Sequence, residues 1–149
     1  MVRYCGMVQT IYKNMLNRRV IVNGTFDILH RGHIEMLNFA KSQGSYLLVA
    51  IDSDTLVKSL KGESRPINQQ EDRKFALDNL KCVDAVWIFD SQEELDHICK
   101  IYKPDLMVKG SDYQGKPITG SQHCKAIKFY ELVPNYSTSK TIENINNRK

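Results

Sequence analysis

Residues 19–33, with the sequence RVIVNGTFDILHRGH, restrict the fold of this chain more than any other segment. The segment begins with a β-branched run, Arg19-Val20-Ile21-Val22, which is typical of a strand. Apolar residues then recur at helical spacing, at Ile34, Leu37, Phe39 and Ala40. Gly24 lies between the two patterns, where a residue without a Cβ lets the backbone approach a ligand closely. We therefore predict a strand near 19–23, a tight turn, and a helix near 32–42 that Gly44 ends.

The predicted turn carries groups that bind phosphate. Thr25 offers a hydroxyl donor, and Gly32 with His33 opens the helix, whose free N–H groups and dipole favour anions. His30 and His33 are three residues apart, so both imidazoles face one cleft and can donate hydrogen bonds to phosphoryl oxygens. The alternatives are two ordinary polar residues at a helix start and a zinc-binding pair. The nearby strand and Gly24 weaken the first, and the lack of a nearby cysteine or carboxylate set weakens the second.

Strand and helix patterns alternate along the rest of the chain. The run Tyr46 to Ile51 is apolar without alternation, which is typical of a parallel strand covered on both faces. Further strands are predicted near 83–89, 105–108 and 127–132, with helices near 54–60, 69–80, 92–102 and 138–147. This order predicts an α/β fold, a Rossmann-like, doubly wound parallel sheet of five strands in a single domain. We place the domain at 18–149 and an N-terminal extension at 1–17, which is either a short amphipathic helix or a partly ordered segment.

Polar residues follow the C-terminal ends of the predicted strands, where ligands bind in such sheets. Lys109, Gly110 and Asp112 follow the fourth strand. Ser137 and Thr138 follow the fifth and open a helix, whose hydroxyls and free N–H groups can cradle β- and γ-phosphates. Plain N-capping is the alternative for these hydroxyls. The convergence of these groups predicts one phosphate site at this edge of the sheet.

Other charged residues are further candidates. Lys61 lies in a loop that contains glycine and could close over a triphosphate, or it could be a bare surface lysine. Arg73 is a candidate for nucleotide binding, and an ion pair within its helix is the alternative. Asp27 and Asp112 are acidic residues at an anion site, where they could orient the histidines, contact a sugar or base, or bind Mg²⁺ indirectly.

Composition narrows the class of protein. The chain has 149 residues, of which 42% are hydrophobic and 26% charged, as in ordinary globular domains. Its apolar runs are too short for a membrane helix, and its first residues lack the apolar core of a signal peptide, so we expect a cytoplasmic protein without a membrane partner. The net charge of +4 comes from scattered basic residues, which argues against nucleic acid. The four cysteines form no C-x-x-C pair, which predicts free thiols.

The segments Gly24-Thr25-Phe26-Asp27 and His30-Arg31-Gly32-His33 resemble the signature of the cytidylyltransferase-like nucleotidyltransferases, with its H-x-G-H motif. The resemblance implies attack by a phosphate, or a similar acceptor, on the α-phosphorus of a nucleoside triphosphate, with release of pyrophosphate. Positioning and electrostatics carry such chemistry. We assign a catalytic role to His30, His33 and Lys61. The predicted nucleotide-binding residues are Gly24, Thr25, Phe26, Asp27, Gly32, Arg73, Lys109, Gly110, Asp112, Ser137 and Thr138.

Four further segments, at 60–68, 104–113, 118–121 and 137–139, resemble the adenylyltransferase domain of bacterial ADP-heptose synthases. This resemblance implies transfer of AMP from ATP to a heptose 1-phosphate. It also implies a separate sugar kinase upstream, since that domain is often fused to one, and a homodimer, since family members commonly dimerise. We expect the base to be read by residues 109–113 and 134–136. Mg²⁺ is predicted to arrive with the triphosphate, because no carboxylate cluster is spaced to hold it.

Three alternatives stay open. Glycerol-3-phosphate cytidylyltransferase, which uses CTP and a phosphorylated polyol, shares the first motif, but its last motif usually reads R-T-E-G-I-S-T-T. Here Pro134-Asn135-Tyr136 precedes Ser137 and no arginine is present. Archaeal FAD synthetase shares the first motif and resembles the middle of the chain less. A nucleotide-binding protein without catalytic activity is the third alternative.

Overall fold

The computed structural model describes residues 17–148, which form a parallel sheet of five strands covered by helices. The strands are β1 (Arg19–Gly24), β2 (Tyr46–Asp52), β3 (Ala85–Phe89), β4 (Leu106–Gly110) and β5 (Ala126–Tyr130). The helices are α1 (Arg31–Ser42), α2 (Asp54–Lys61), α3 (Gln70–Asp78), α4 (Gln92–Tyr102) and α5 (Thr138–Asn146). Two 3₁₀ turns lie at Ser111–Tyr113 and Ser121–His123. The predicted α/β fold is confirmed.

The strand order is β3-β2-β1-β4-β5, and every neighbouring pair is parallel. The chain runs outward from β1 to β3 and then returns to the other side of β1 for β4 and β5. Val22 of β1 pairs with Val49 of β2 and Val108 of β4, which fixes the register at the centre. The order therefore reverses between β1 and β4, and in open α/β sheets such a reversal opens a ligand crevice at the strands' carboxyl ends.

Each face of the sheet is covered by a separate apolar cluster. Val20, Val22 and Val49 face one cluster, while Ile21 and Leu48 face the other. This division follows from the strand geometry, because successive side chains point to opposite faces. Residues 47–51 of β2 are all buried, as the unbroken apolar run predicted.

Most boundaries differ from the predictions by one or two residues, and Lys61, which was predicted in a loop, is the last residue of α2. β3 begins at Ala85 because Asp84, just before it, accepts a hydrogen bond from Leu47 N at 2.7 Å and donates its own N–H to Leu47 O. α1 ends at a right-handed Gln43, so Gly44 does not end the helix through a left-handed conformation. Its role is steric, since a Cβ there would lie 2.5 Å from Arg18 O.

Some predictions concern segments at the limits of the structure. The extension proposed for 1–17 lies, except for residue 17, outside the described residues.

In residues 17–148 no helix has the length and apolar character needed to span a bilayer. Cys82, Cys99 and Cys124 are free thiols, as predicted for them.

Candidate active site

A cavity of about 350 Å³ opens at the carboxyl ends of β1 and β4. The β1–α1 turn forms one wall, the end of β4 forms the floor, and residues 132–139 form the opposite wall. It contains these predicted site residues: Gly24, Thr25, Phe26, His30, Gly32, His33, Lys61, Lys109, Gly110, Asp112, Ser137 and Thr138. The convergence expected from the strand order is therefore present in the structure.

The two histidines hold each other through a reciprocal capping arrangement. His30 is the N-cap of α1, and its Nδ1 accepts from the backbone N–H of His33 at 3.4 Å. His33 Nδ1 accepts in turn from the backbone N–H of His30 at 3.4 Å, and the rings stack with centroids 3.7 Å apart. A neutral imidazole that accepts at Nδ1 carries its proton on Nε2. Each ring thus keeps one N–H donor for a ligand.

Burial keeps both rings neutral. Desolvation, and next the neighbouring His30 and Lys61, lower the pKa of His33 to about 4. Desolvation also lowers the pKa of His30. At neutral pH the pair therefore offers uncharged hydrogen-bond donors, and their attraction for a phosphate grows with the negative charge that develops on it.

Two glycines make room for this arrangement. A Cβ on Gly32 would lie 3.1 Å from the His30 ring and 3.3 Å from Tyr136 Cβ. A Cβ on Gly24 would lie 3.2 Å from the Phe26 ring. Phe26 itself has a φ of 52°, a left-handed conformation that is uncommon for a bulky residue and is found mainly where a site requires it. The turn is therefore shaped around the histidine rings.

Two lysines supply the positive charge of the cavity. Lys61 Nζ donates to Thr25 Oγ1 at 3.1 Å, and that hydroxyl donates to Asp52 Oδ2 at 2.8 Å. Burial, and after it Arg65, lowers the pKa of Lys61. Lys109 Nζ donates to Asn23 Oδ1 at 3.1 Å, and burial lowers its pKa to about 8. The Thr25 hydroxyl thus accepts a hydrogen bond from Lys61 and donates one to Asp52, a role that the sequence did not predict.

Asp27 and Arg73, which were predicted to bind the nucleotide, do not line the cavity. The Asp27 carboxylate is buried and accepts from the backbone N–H groups of Ile67 and Asn68 at 2.7 and 2.9 Å. The Arg73 guanidinium is buried as well. It donates to Asn68 O at 3.0 Å, Thr25 O at 2.8 Å and Asp54 Oδ1 at 2.8 Å. Both residues hold the 62–68 loop against the β1–α1 turn.

The start of α5 is capped by Ser137 and also lines the cavity. Ser137 Oγ accepts from Lys140 N at 3.1 Å and caps the helix. Thr138 Oγ1 donates to Asp27 O at 2.5 Å, which ties α5 to the β1–α1 turn. Both residues also line the cavity, so the helix N-terminus faces the place where the phosphates are predicted.

Several lining residues were not predicted as site residues: Asn23, Met36, Arg65, Leu132 and Val133. Arg65 is in the loop that carried the family resemblance, so its charge was a signal that could have been used. Leu132 and Val133 had no signal, because they reach the cavity only after the chain turns back beyond β5. Tyr113 and Tyr136, which lie in the segments predicted to read the base, do line the cavity.

The described residues offer no preformed cage for a metal. Across residues 17–148, no group of three or more His, Cys, Asp or Glu side chains is placed to hold an ion. The prediction that Mg²⁺ arrives with a triphosphate is compatible with this finding and stays a prediction.

Comparison with known proteins identifies the relatives of this chain. The model of the family described as cytidylyltransferase-like matches residues 21–144. The bifunctional protein HldE of Campylobacter concisus is 47% identical over 130 residues, which are 87% of this chain and 27% of that protein. The HldE of Wolinella succinogenes is 44% identical over 141 residues, 93% of this chain and 30% of that protein. The chain thus spans less than a third of the length of these relatives.

A solved structure is similar over most of its length. The lipopolysaccharide core biosynthesis protein from Thermoplasma volcanium GSS1 is 26% identical, with a TM-score of 0.62. The similarity covers 78% of this chain and 98% of that one.

Proposed function

We propose that this chain, which belongs to the cytidylyltransferase-like family of nucleotidyltransferases, transfers AMP from ATP to the phosphate of a heptose 1-phosphate. An oxygen of the acceptor phosphate forms a bond to the α-phosphorus. The bond from the α-phosphorus to the oxygen that bridges to the β-phosphorus breaks, and its electron pair leaves with pyrophosphate. The attacking oxygen is already ionised, so the step needs no general base.

The observation that carries this proposal is the locked, neutral histidine pair. Nδ1 of each ring is occupied by a backbone N–H, which leaves Nε2–H as the donor, and the rings stack in the cavity. Such preorganised donors act where charge develops and need no rearrangement during the reaction. We infer that His30 and His33 bind the α-phosphate most tightly in the transition state, while Lys61 neutralises the phosphate groups next to it.

The choice of ATP and heptose 1-phosphate is supported by the relatives. The HldE proteins, which are bifunctional, are 44–47% identical to this chain over most of its length. In the cavity, Tyr113 and Tyr136 are the aromatic groups in the segments predicted to read the base. Mg²⁺ would be held by the triphosphate of the incoming nucleotide, where it neutralises charge.

ATP and sugar phosphates are metabolites of the cytoplasm, so we propose that the chain acts there. A sugar kinase activity would supply the heptose 1-phosphate, and we propose that the chain works as a homodimer.

The test is pyrophosphate release by the purified chain with ATP, CTP, GTP or UTP, each offered with heptose 1-phosphate and with glycerol 3-phosphate. We expect ATP with heptose 1-phosphate to be turned over most efficiently. Efficient use of CTP with glycerol 3-phosphate would replace the proposed substrates and leave the role of the histidines intact. Nucleotide binding by calorimetry without pyrophosphate release from any pair would contradict an enzymatic function.

A further inference from the structure

A second cavity of about 260 Å³ adjoins the one that holds the histidines. The two cavities share six lining residues: Asn23, Gly24, Thr25, Lys61, Lys109 and Tyr113. The second cavity adds a wall of its own, formed by Asp52, Leu60, Gln92, Pro117, Ile118 and Thr119. The site is therefore one crevice with two lobes, which we call the histidine lobe and the Gln92 lobe.

Two cations lie at the boundary between the lobes. Lys61 and Lys109 lie on the shared wall, and both ammonium groups contact neutral oxygens there, of Thr25 and Asn23. A phosphate at this boundary would meet both cations. It would also stand beside the histidine lobe, where the α-phosphorus of the nucleotide is proposed to lie. The boundary thus suits the attacking phosphate of the acceptor.

The Gln92 lobe itself suits an uncharged, hydroxylated group. Its own wall carries the carboxylate of Asp52, the amide of Gln92 and the hydroxyl of Thr119, but no histidine, and no lysine besides the two at the boundary. A carboxylate there disfavours a second phosphate. Amide, hydroxyl and carboxylate oxygens accept hydrogen bonds from sugar hydroxyls, and the apolar Ile118 can cover the carbon skeleton.

Two of these groups come from segments far apart in sequence and meet in the lobe. Thr119 Oγ1 donates to Gln92 Oε1 at 2.8 Å, which joins the loop after β4 to the first residue of α4. The Gln92 amide N–H₂ and both lone pairs of the Thr119 hydroxyl are not used by this bond. The pair therefore presents both a donor and an acceptor to a ligand at a fixed spacing.

We infer that Gln92 and Thr119 are specificity-determining residues that bind the hydroxyl groups of the acceptor. The inference rests on the proposed function, because that function supplies a sugar phosphate as the acceptor. The histidine lobe then takes the nucleotide, the boundary lysines take the acceptor phosphate, and the Gln92 lobe reads the sugar.

The chain offers a matched control for substitutions in this lobe. The same loop is fastened to α4 a second time, through Gln122 Nε2 and His123 Nε2, which lie 2.5 and 3.1 Å from Asp96 Oδ1. These three residues do not line either lobe. Gln122→Ala therefore loosens the loop without removing a group that faces the ligand.

The experiment compares the wild type, Gln92→Leu, Thr119→Val and Gln122→Ala in the pyrophosphate-release assay, using the acceptor that the wild type turns over best. Losing one hydrogen bond typically costs about 0.5–1.5 kcal/mol, so each lobe variant should raise the KM for the acceptor by roughly two- to ten-fold. The KM for the nucleotide should stay within about two-fold. Gln122→Ala should leave both constants near the wild-type values. The wild type should also reject deoxy analogues of the acceptor more strongly than the lobe variants do.

An unchanged acceptor KM in both lobe variants, or an equal rise in Gln122→Ala, would overturn the inference. The outcome is separable from the proposed function. Should the wild type prefer glycerol 3-phosphate, the substrate proposal fails, but the lobe variants should still raise the KM for that polyol phosphate. If no acceptor is turned over, calorimetry with heptose 1-phosphate decides. Weaker binding of heptose 1-phosphate by Gln92→Leu and Thr119→Val, but not by Gln122→Ala, supports the inference. Equal binding by all four proteins, or no binding by the wild type, rejects it.

Discussion

The β1–α1 turn and the 62–68 loop both border the histidine lobe, but they are held in place by different means. The histidines of the turn are held by neighbours in sequence, since His30 and His33 cap each other and Gly32 makes room for the His30 ring. The loop is fixed to a segment distant in sequence, because Asp27 binds Ile67 N 40 residues away and Arg73 joins Asn68 O to Thr25 O, which is 48 residues from Arg73. The proposed catalytic groups of the turn therefore lie within one short motif, whereas the position of the loop depends on the buried charges of Asp27 and Arg73.

The largest effect is expected from breaking the turn's chemistry without disturbing the loop. His33→Ala should lower the rate of pyrophosphate release by about 10² to 10³, the usual cost of one preorganised donor. Nucleotide binding should change by only a few-fold, because the donor acts mainly in the transition state. His97→Ala is the matched control, since His97 is exposed on α4 and lies outside both lobes. Rates within three-fold of the wild type for His33→Ala would remove this residue from the mechanism.

A second substitution removes the contacts of Arg73 that hold the loop, and it removes none of the hydrogen bonds of His30 and His33. Arg73→Met removes three hydrogen bonds and leaves the Asp54 carboxylate and two carbonyl oxygens without their donor. We expect the free energy of unfolding to fall by about 2–4 kcal/mol, as measured by urea denaturation. Activity should fall through a higher KM, because Lys61 and Arg65 lose their fixed position.

The neighbouring residue in α3 provides the control for this prediction. Lys74→Met removes an i,i+4 pair with Asp78 at a partly exposed position, which typically contributes less than about 0.5 kcal/mol. Equal stability losses in Arg73→Met and Lys74→Met would show that the loop does not depend on Arg73.

The same contrast explains what could be predicted from the sequence. The unbroken apolar run of β2 and the strand–turn–helix pattern around His30 are local, and both predictions are confirmed. The burial of Asp27 and Arg73 and their contacts with the 62–68 loop could not be predicted, because a sequence shows charge and not burial. Leu132 and Val133 were missed since only the tertiary fold brings them to the cavity. Local patterns therefore predicted the turn, and long-range contacts decided the rest of the site.

The smallest effect concerns Lys109, which belongs to neither region and lies at the end of β4 between the two lobes. Burial lowers its pKa to about 8, so the free protein loses this positive charge as the pH rises through about 8. Because the boundary between the lobes is proposed to hold a phosphate, kcat/KM should fall on the alkaline side with an apparent pKa near 8. The effect on folding has the opposite sign. The unfolded chain keeps the Lys109 proton up to about pH 10.5, whereas the folded protein releases it near pH 8. The contribution of Lys109 to the free energy of unfolding therefore rises with pH between about 8 and 10.5.

Lys109→Arg separates these two effects, because a guanidinium stays charged throughout this range. In this variant the alkaline fall of kcat/KM near pH 8 should disappear, whatever the absolute rate. Because the pKa of His33 is about 4, the neutral His33 ring should add no inflection to kcat/KM between about pH 5.5 and 7.5. An alkaline limb that persists unchanged in Lys109→Arg would assign the titration to another group, of which Lys61, whose pKa burial also lowers, is the first to test.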